Sequence, residues 1–350
     1  MNSILVTGGA GFIGSHTCLN LLKKNFNIYI LDSFVNSSPI SLERISVLLN
    51  KEGINIDSNI HIFKGDVRNE SDLRLIFQDA LKKKKPIESV VHFAGLKAVG
   101  ESNDMALKYW DFNVSGTIAL LKIMEKYDCF KIVFSSSATI YRTNKEKFIK
   151  ENDELGPINP YGVTKLVVEK MLNDVFNSNP NKWKIVNLRY FNPIGAHPSG
   201  LIGEDPLGIP NNLFPLLMKV AMGEIKEIKV FGNDWPTKDG TGVRDYIHVM
   251  DLAEGHLLAL EYLSKAKPQI LNLNLGTGKG TSVLELLKTF ENVNNVKIPY
   301  VYTNRRKGDS AIVVANNALA KSLLNWNPAF KIEDMCRDGY IWQLRNPNGY

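Results

Sequence analysis

The chain has 350 residues, 44% hydrophobic and 22% charged, with 42 Lys and Arg against 36 Asp and Glu for a formal net charge of +6. Such a composition supports a sizeable buried core and excludes a disordered polyelectrolyte. The basic excess is spread along the chain without a clustered face or a reading motif, so it suits an anionic small molecule and no nucleic-acid partner is expected.

The densest basic run, Lys82 to Lys85, ends an amphipathic stretch before Pro86 and reads as a solvated helix terminus. Cys18, Cys129 and Cys336 are far apart, odd in number and lack CxxC spacing, which argues against a disulfide framework and against a metal site. An apolar strand begins directly after Met1 and Asn2, and no stretch of about 20 apolar residues follows. A soluble, cytoplasmic protein without a leader or membrane segment is the expectation.

In chain order, Ile4 to Val6 predicts a first strand, Phe12 to Lys24 a helix, Ile28 to Leu31 a second strand and Ile60 to Lys64 a third. A helix near 71–83 leads to a strand over 89–93. A helix over 105–127 feeds a strand over 131–135, and a helix beginning near Tyr161 feeds a strand over 184–189. This alternation predicts an α/β fold, a doubly wound and mostly parallel Rossmann sheet. After Tyr190, Pro193, Pro198, Pro206, Pro210 and Pro215 interrupt the periodicity and predict a domain boundary. The division is therefore 1–190 for the dinucleotide-binding domain and 191–350 for a smaller α/β substrate-binding lobe, with a return of the chain to the first domain near 244–262. The second lobe is expected to hold helices near 213–222, 249–263, 282–290 and 317–324.

Gly8, Gly11 and Gly14 form a GxxGxxG run between the first strand and helix, where small residues and amide donors let the backbone approach a pyrophosphate. By itself the run is equally what a tight turn needs. Asp32, eighteen residues after Gly14 at the end of the second strand, adds a carboxylate suited to both ribose hydroxyls of adenosine. A carboxylate there repels a 2′-phosphate, so the cofactor expected is NAD. Asp66-Val67 and Phe93-Ala94-Gly95 follow the next two strands, at the carboxyl ends that line such a crevice.

Tyr161 and Lys165 stand four residues apart at a helix start, behind Asn159-Pro160, and project from one face. An ordinary surface pair has the same spacing. A phenol near pKa 10 is a poor base at neutral pH, whereas a neighbouring ammonium and a nicotinamide cation would both favour its ionised form. Ser135-Ser136-Ser137 ends a core strand just upstream, where a hydroxyl could bind the reacting oxygen or merely cap the strand.

Together these residues resemble the extended short-chain dehydrogenase/reductase superfamily, and longer strings resemble its UDP-glucose (UDP-galactose) 4-epimerases nearly end to end. They include Val6 to Thr17, His92 to Ser102, Phe134 to Thr139, Arg189 to Pro193, Gly195 to Gly200, Gly208 to Leu213 and Gly240 to His248. The resemblance implies that Gly8, Gly11, Phe12, Ile13, Gly14, Asp32, Asn36, Ser37, Asp66, Val67, Phe93, Ala94, Gly95, Lys97, Asn113, Ser135, Tyr161, Lys165 and Phe191 bind NAD. It implies a UDP-hexose held by Ser137, Tyr161, Asn192, Asn212, Leu213, Phe231, Arg244, Arg306, Asp309 and Val313. The catalytic set would be Tyr161, Lys165, Ser137 and Ser135, working through a 4-keto sugar, in a chain that pairs as a homodimer by helix packing. Two arginines suit a diphosphate, and asparagines suit uracil or sugar hydroxyls.

Arg142 stands where relatives usually have glycine, and Ser310-Ala311 and Asn316 replace residues usually acidic or proline-containing. Val313 stands where epimerases restricted to glucose and galactose carry tyrosine, which predicts that UDP-N-acetylglucosamine is also accepted. The nearest rival reading is a nucleotide-sugar dehydratase or decarboxylase. A dehydratase needs extra carboxylates near Ser135 to Ala138, which that segment lacks. A non-catalytic nucleotide-sugar sensor is a second alternative, against which the retained Tyr161 and Lys165 speak.

Overall fold

The computed structural model describes residues 2–56, 58–142, 148–206, 210, 212–306 and 308–350. The first half runs β1 (Ser3–Thr7), α1 (Phe12–Lys23), β2 (Asn27–Asp32), α2 (Ile40–Lys51), β3 (Ile60–Lys64), α3 (Glu70–Lys82) and β4 (Ile87–His92). It continues through α4 (Val99–Asp104), α5 (Ala106–Trp110), α6 (Gly116–Lys126), β5 (Lys131–Ser137), α7 (Pro160–Ser178) and β6 (Lys184–Tyr190). The second half adds β7 (Asn192–Ile194), α8 (Leu213–Ala221), β8 (Ile228–Phe231), β9 (Val243–Arg244), β10 (Tyr246–His248), α9 (Val249–Lys265) and β11 (Gln269–Leu275). It ends with β12 (Thr281–Ser282), α10 (Val283–Asn294), β13 (Tyr300–Thr303), β14 (Ile312–Val313), α11 (Ala318–Leu324) and α12 (Ile332–Arg345).

Seven parallel strands form the main sheet in the order β11-β6-β5-β4-β1-β2-β3. Side chains alternate across it. Ile4 and Val6 of β1 join a core with Leu19 and Leu22 of α1, Ile45 of α2 and Leu252 and Leu260 of α9. Leu5 faces the other way, into a core with Ile76 of α3, Leu120 of α6 and Val168 of α7. Both faces are therefore covered, as a buried parallel sheet requires, and the strand order reverses between β1 and β4, where a crevice opens at the carboxyl ends. The smaller lobe packs α8, α10 and α12 around a third core containing Phe214, Leu217, Phe290 and Met335, beside two- and three-stranded sheets.

The division at residue 190 is crossed further than the sequence suggests. Helix α9 packs on the first sheet, within the expected 244–262 return although it is also counted among the helices of the second lobe, and β11 at 269–275 supplies the seventh strand beyond that return. Its alternating Asn272 and Asn274 gave β11 no apolar run to announce it. The single helix expected over 105–127 is broken into α5, a π-type turn at Asp111–Ser115 and α6. Helices α2 and α12 were not anticipated.

Candidate active site

One cleft of about 690 Å³ runs between the two lobes, and nearly every expected site residue lines it. At one end lies the glycine loop. Gly8 has φ +72°, and a Cβ there would sit 2.8 Å from Ala94 N, while a Cβ on Gly14 would sit 2.2 Å from Gly8 O. At Gly11 the nearest such atom is 3.4 Å away, so the fold itself tolerates a methyl group there. Asp32 is fixed by three donors: Ala10 N at 2.9 Å to Oδ2, and Phe34 N at 2.9 Å and Ser37 Oγ at 2.8 Å to Oδ1. Asp66 is clamped by Arg68, whose Nη2 lies 2.6 Å from Oδ2, and the guanidinium beside it lowers the pKa of its carboxyl.

In the middle of the cleft, Asn159 caps α7 by accepting from Gly162 N at 2.8 Å, and Pro160 fits the first turn. Tyr161 and Lys165 thereby face the end of β5. Lys165 Nζ donates to Ser135 O at 2.7 Å, lies 3.4 Å from Ser135 Oγ and stands 5.9 Å from the centre of the Tyr161 ring. Burial pushes this ammonium down to about 8. Burial also raises the Tyr161 phenol, opposed by a hydrogen bond with Ser137. The expected lowering by the adjacent lysine is thus not seen in the protein alone, where desolvation raises the phenol and Ser137 is the group that opposes it. Ser137 does cap the turn after β5, accepting from Thr139 N at 3.2 Å and Thr139 Oγ1 at 3.0 Å. Its own proton is turned toward the Tyr161 oxygen. Ser135 holds Lys165 in place.

At the far end, Asn192, Asn212, Leu213, Phe231, Arg244, Arg306 and Asp309 converge from separate segments. Arg306 stacks on Phe231 with its Cζ 3.8 Å from the ring centre, and Arg244 pairs with Asp309 and donates to Ser310 O at 2.9 Å. Desolvation lowers the pKa of Arg306, Asp309 opposes the shift, and the like charge of Arg244 adds to it. An anion between the two guanidiniums relieves that repulsion.

Two expected residues do not line the cleft. Asn113 is buried in the π-type turn and spends its amide on the fold: Oδ1 accepts from Leu96 N at 2.8 Å, and Nδ2 donates to Leu96 O at 3.2 Å and Thr164 Oγ1 at 2.9 Å. It ties the loop after β4 to α7. Val313, on β14 beside Arg244 in register, packs with Phe191 and Ile140 behind the lining layer. Arg142 makes an outward ion pair with Glu154 at 2.7 Å. Gly208, Ile209 and Asn211 of one quoted string lie outside the described residues. Sequence reasoning missed Thr139, Glu204, Lys229 and Tyr246, which also line the cleft. Thr139 and Tyr246 carried a signal, their places in the Phe134 to Thr139 and Gly240 to His248 strings, whereas Glu204 and Lys229 carried none.

The family model described as GDP-mannose 4,6 dehydratase matches residues 5–339. The chain is 50% identical to UDP-glucose 4-epimerase 1 of Oryza sativa subsp. japonica, over 100% of this chain and 97% of that one. It is 49% identical to the UDP-glucose 4-epimerase of Bacillus subtilis (strain 168), over 99% of this chain and 98% of the relative. The crystal structure of UDP-glucose 4-epimerase from Bifidobacterium longum in complex with NAD+ and UDP matches with a TM-score of 0.91 at 46% identity, covering 100% of both chains. With a tyrosine, a lysine and a serine gathered between a glycine loop and a pair of arginines, and relatives of this closeness along its whole length, the chain belongs to the UDP-glucose 4-epimerase family.

Proposed function

We propose that this chain interconverts UDP-glucose and UDP-galactose by inverting C4, with NAD as resident cofactor. The observation that carries the reading is the meeting of Tyr161, Ser137 and Lys165 midway along one cleft whose ends suit a dinucleotide and a uridine diphosphate. The residues fit NAD: Gly8 and Gly14 lie where a Cβ would strike backbone, Gly11 leaves space in front of α1, and Asp32 is held at the end of β2. When bound, NAD supplies a hydride acceptor that gives back what it takes, so the sugar is oxidised and then reduced at a single carbon.

The protein's own part is proton transfer and anchoring. Tyr161 takes the proton of the 4-hydroxyl and later returns it, while Ser137, already accepting from Thr139, directs its proton toward the reacting oxygen. Lys165, fixed by Ser135, sets a cation near the phenol. Arg244, Arg306 and Phe231 hold the nucleotide, so that the hexose alone turns over between the two halves of the reaction. Incubating the purified protein with UDP-glucose and following the sugar by proton NMR should give a mixture with UDP-galactose. A product lacking the elements of water or carbon dioxide supports the dehydratase or decarboxylase reading instead.

The same cleft also accepts UDP-N-acetylglucosamine in this proposal, because valine at 313 leaves the Phe191 layer free to yield beside the C2 substituent. Val313→Tyr should abolish turnover of the N-acetylated sugar and spare UDP-glucose; no such turnover in the parent defeats the idea. A homodimer fits the exposed apolar side chains Val99, Leu107, Trp110 and Ile118 on α4, α5 and α6 and Met105 between α4 and α5, with Leu107 85% exposed. Light scattering at a mass of one chain would exclude it. Cytoplasmic placement accords with three buried, free cysteines, and no helix among the described residues is long and apolar enough to cross a membrane.

A further inference from the structure

A salt bridge crosses the cleft between the two lobes. Lys97, in the loop after β4, places Nζ 2.7 Å from Oε1 of Glu204, which lies in the connection from β7 to α8. The same ammonium stands 5.9 Å from the ring centre of Phe12, the first residue of α1. The pair therefore passes in front of the helix terminus where a diphosphate would meet the amide donors. Glu204 is the fixed member, its side chain 11% exposed against 45% for Lys97.

What fixes Glu204 lies behind it. Trp342 Nε1 donates to Glu204 O at 3.2 Å. The Tyr350 hydroxyl accepts from Gly203 N at 3.0 Å and donates to Gly203 O at 3.2 Å, while Tyr350 N donates to Asp205 Oδ2 at 2.9 Å. Arg44 of α2, from the first lobe, lies over both aromatic rings, 5.6 Å from Trp342 and 5.1 Å from Tyr350, and donates to Leu201 O at 3.0 Å. Residues 201–205 are thus gripped from both lobes.

An exposed ion pair contributes little to stability and needs no such scaffold. A bare carboxylate beside a diphosphate site would repel the ligand; bound to Lys97, it instead presets the cation toward α1. We infer that Glu204 and Lys97 form a clasp over the diphosphate of the dinucleotide, held closed by Trp342 and Tyr350, whose function is to retain the cofactor between turnovers. This rests on the NAD reading above, and Glu204 acts through Lys97 as a positioning residue.

The test uses holoenzyme and follows NAD release by coupling free NAD to a dehydrogenase that consumes it. Glu204→Gln should release NAD about tenfold faster than the parent. Added salt should speed release from the parent and leave the variant nearly unchanged. Lys97→Met, which leaves the Glu204 carboxylate bare beside the diphosphate, should release NAD fastest, and adding Glu204→Gln to it should slow release part of the way back. Tyr350→Phe, which keeps the ring and loses the hydroxyl bonds, should give a smaller acceleration. Melting in saturating NAD reports whether each variant is folded. Equal release from the parent and Glu204→Gln, or a full Glu204→Gln effect persisting in the Lys97→Met background, overturns the clasp. A parent that holds no NAD defeats the cofactor reading instead.

Discussion

The two ends of the cleft are built on different principles. At the glycine end, residues 8–14 and 32–37 carry the site on backbone geometry: positive φ at Gly8, a Gly14 Cβ position 2.2 Å from Gly8 O, and a carboxylate locked by two amides and a hydroxyl. At the arginine end, side chains arrive from β7, the start of α8, β8, β9 and the loop after β13. Backbone-built binding is fixed by sterics and admits few substitutions. Side-chain-built binding can change its ligand one residue at a time.

If the ends are separate devices joined only by the residues between them, damage to the middle should spare both. Tyr161→Phe should lower kcat about 10³-fold while leaving the UDP dissociation constant and NAD content unchanged, read by steady-state kinetics, calorimetry and cofactor extraction. A UDP affinity that fell with kcat would make the phenol an anchor. Damage to the arginine end comes next in size. Arg306→Ala, which removes the guanidinium stacked on Phe231, should weaken UDP binding about 10- to 100-fold with NAD retention intact. Arg306→Lys should recover only part of that, because a point charge cannot replace the planar fork.

The glycine end divides further. Gly14→Ala forces a methyl group onto backbone and should cost about 1–3 kcal/mol in urea unfolding of the cofactor-free protein. Gly11→Ala meets only an ordinary contact and should leave unfolding nearly unchanged while weakening NAD binding. Loss of stability at Gly11, or none at Gly14, would show that the run answers to the ligand and the turn in the opposite way.

The same contrast explains what could be read in advance. Gly8 and Gly14 are legible because sterics act within a few residues of each other, Asp32 because it ends the next strand at a fixed spacing from them, and Asn159-Pro160 announces α7 through cap chemistry. Arg244, Arg306 and Phe231 are isolated in sequence and came only from the resemblance. Asn113 came from the resemblance as a cofactor contact, yet its amide is spent on Leu96 and Thr164, so a position carried over from relatives does not by itself tell ligand contact from scaffold. Glu204 gave no local signal at all. Its place depends on Trp342 and Tyr350, more than 130 residues away in the chain. The fate of β11 was hidden for a related reason: a strand with alternating asparagines declares neither its sheet nor its neighbour, and only pairing with β6 decides it.

The smallest expected effect concerns Lys165, the residue on which the middle of the cleft turns. Burial lowers its pKa from 10.5 to about 8, so below pH 8 the folded protein keeps an ammonium in a site that disfavours it. Between about pH 8 and 10.5 the unfolded chain holds a proton there that the folded chain has released, and linkage then makes unfolding harder as pH rises. Other groups titrate in that range, so the measurement is a difference: the unfolding free energy of the parent minus that of Lys165→Met. The difference should climb from pH 8 to 10.5 with a slope below about 1.4 kcal/mol per pH unit and be flat from pH 6 to 7.5. A falling difference would mean that Lys165 is stabilised as a cation by its contact with Ser135 O, and that its charge is then a stronger support for the Tyr161 phenolate than burial alone allows.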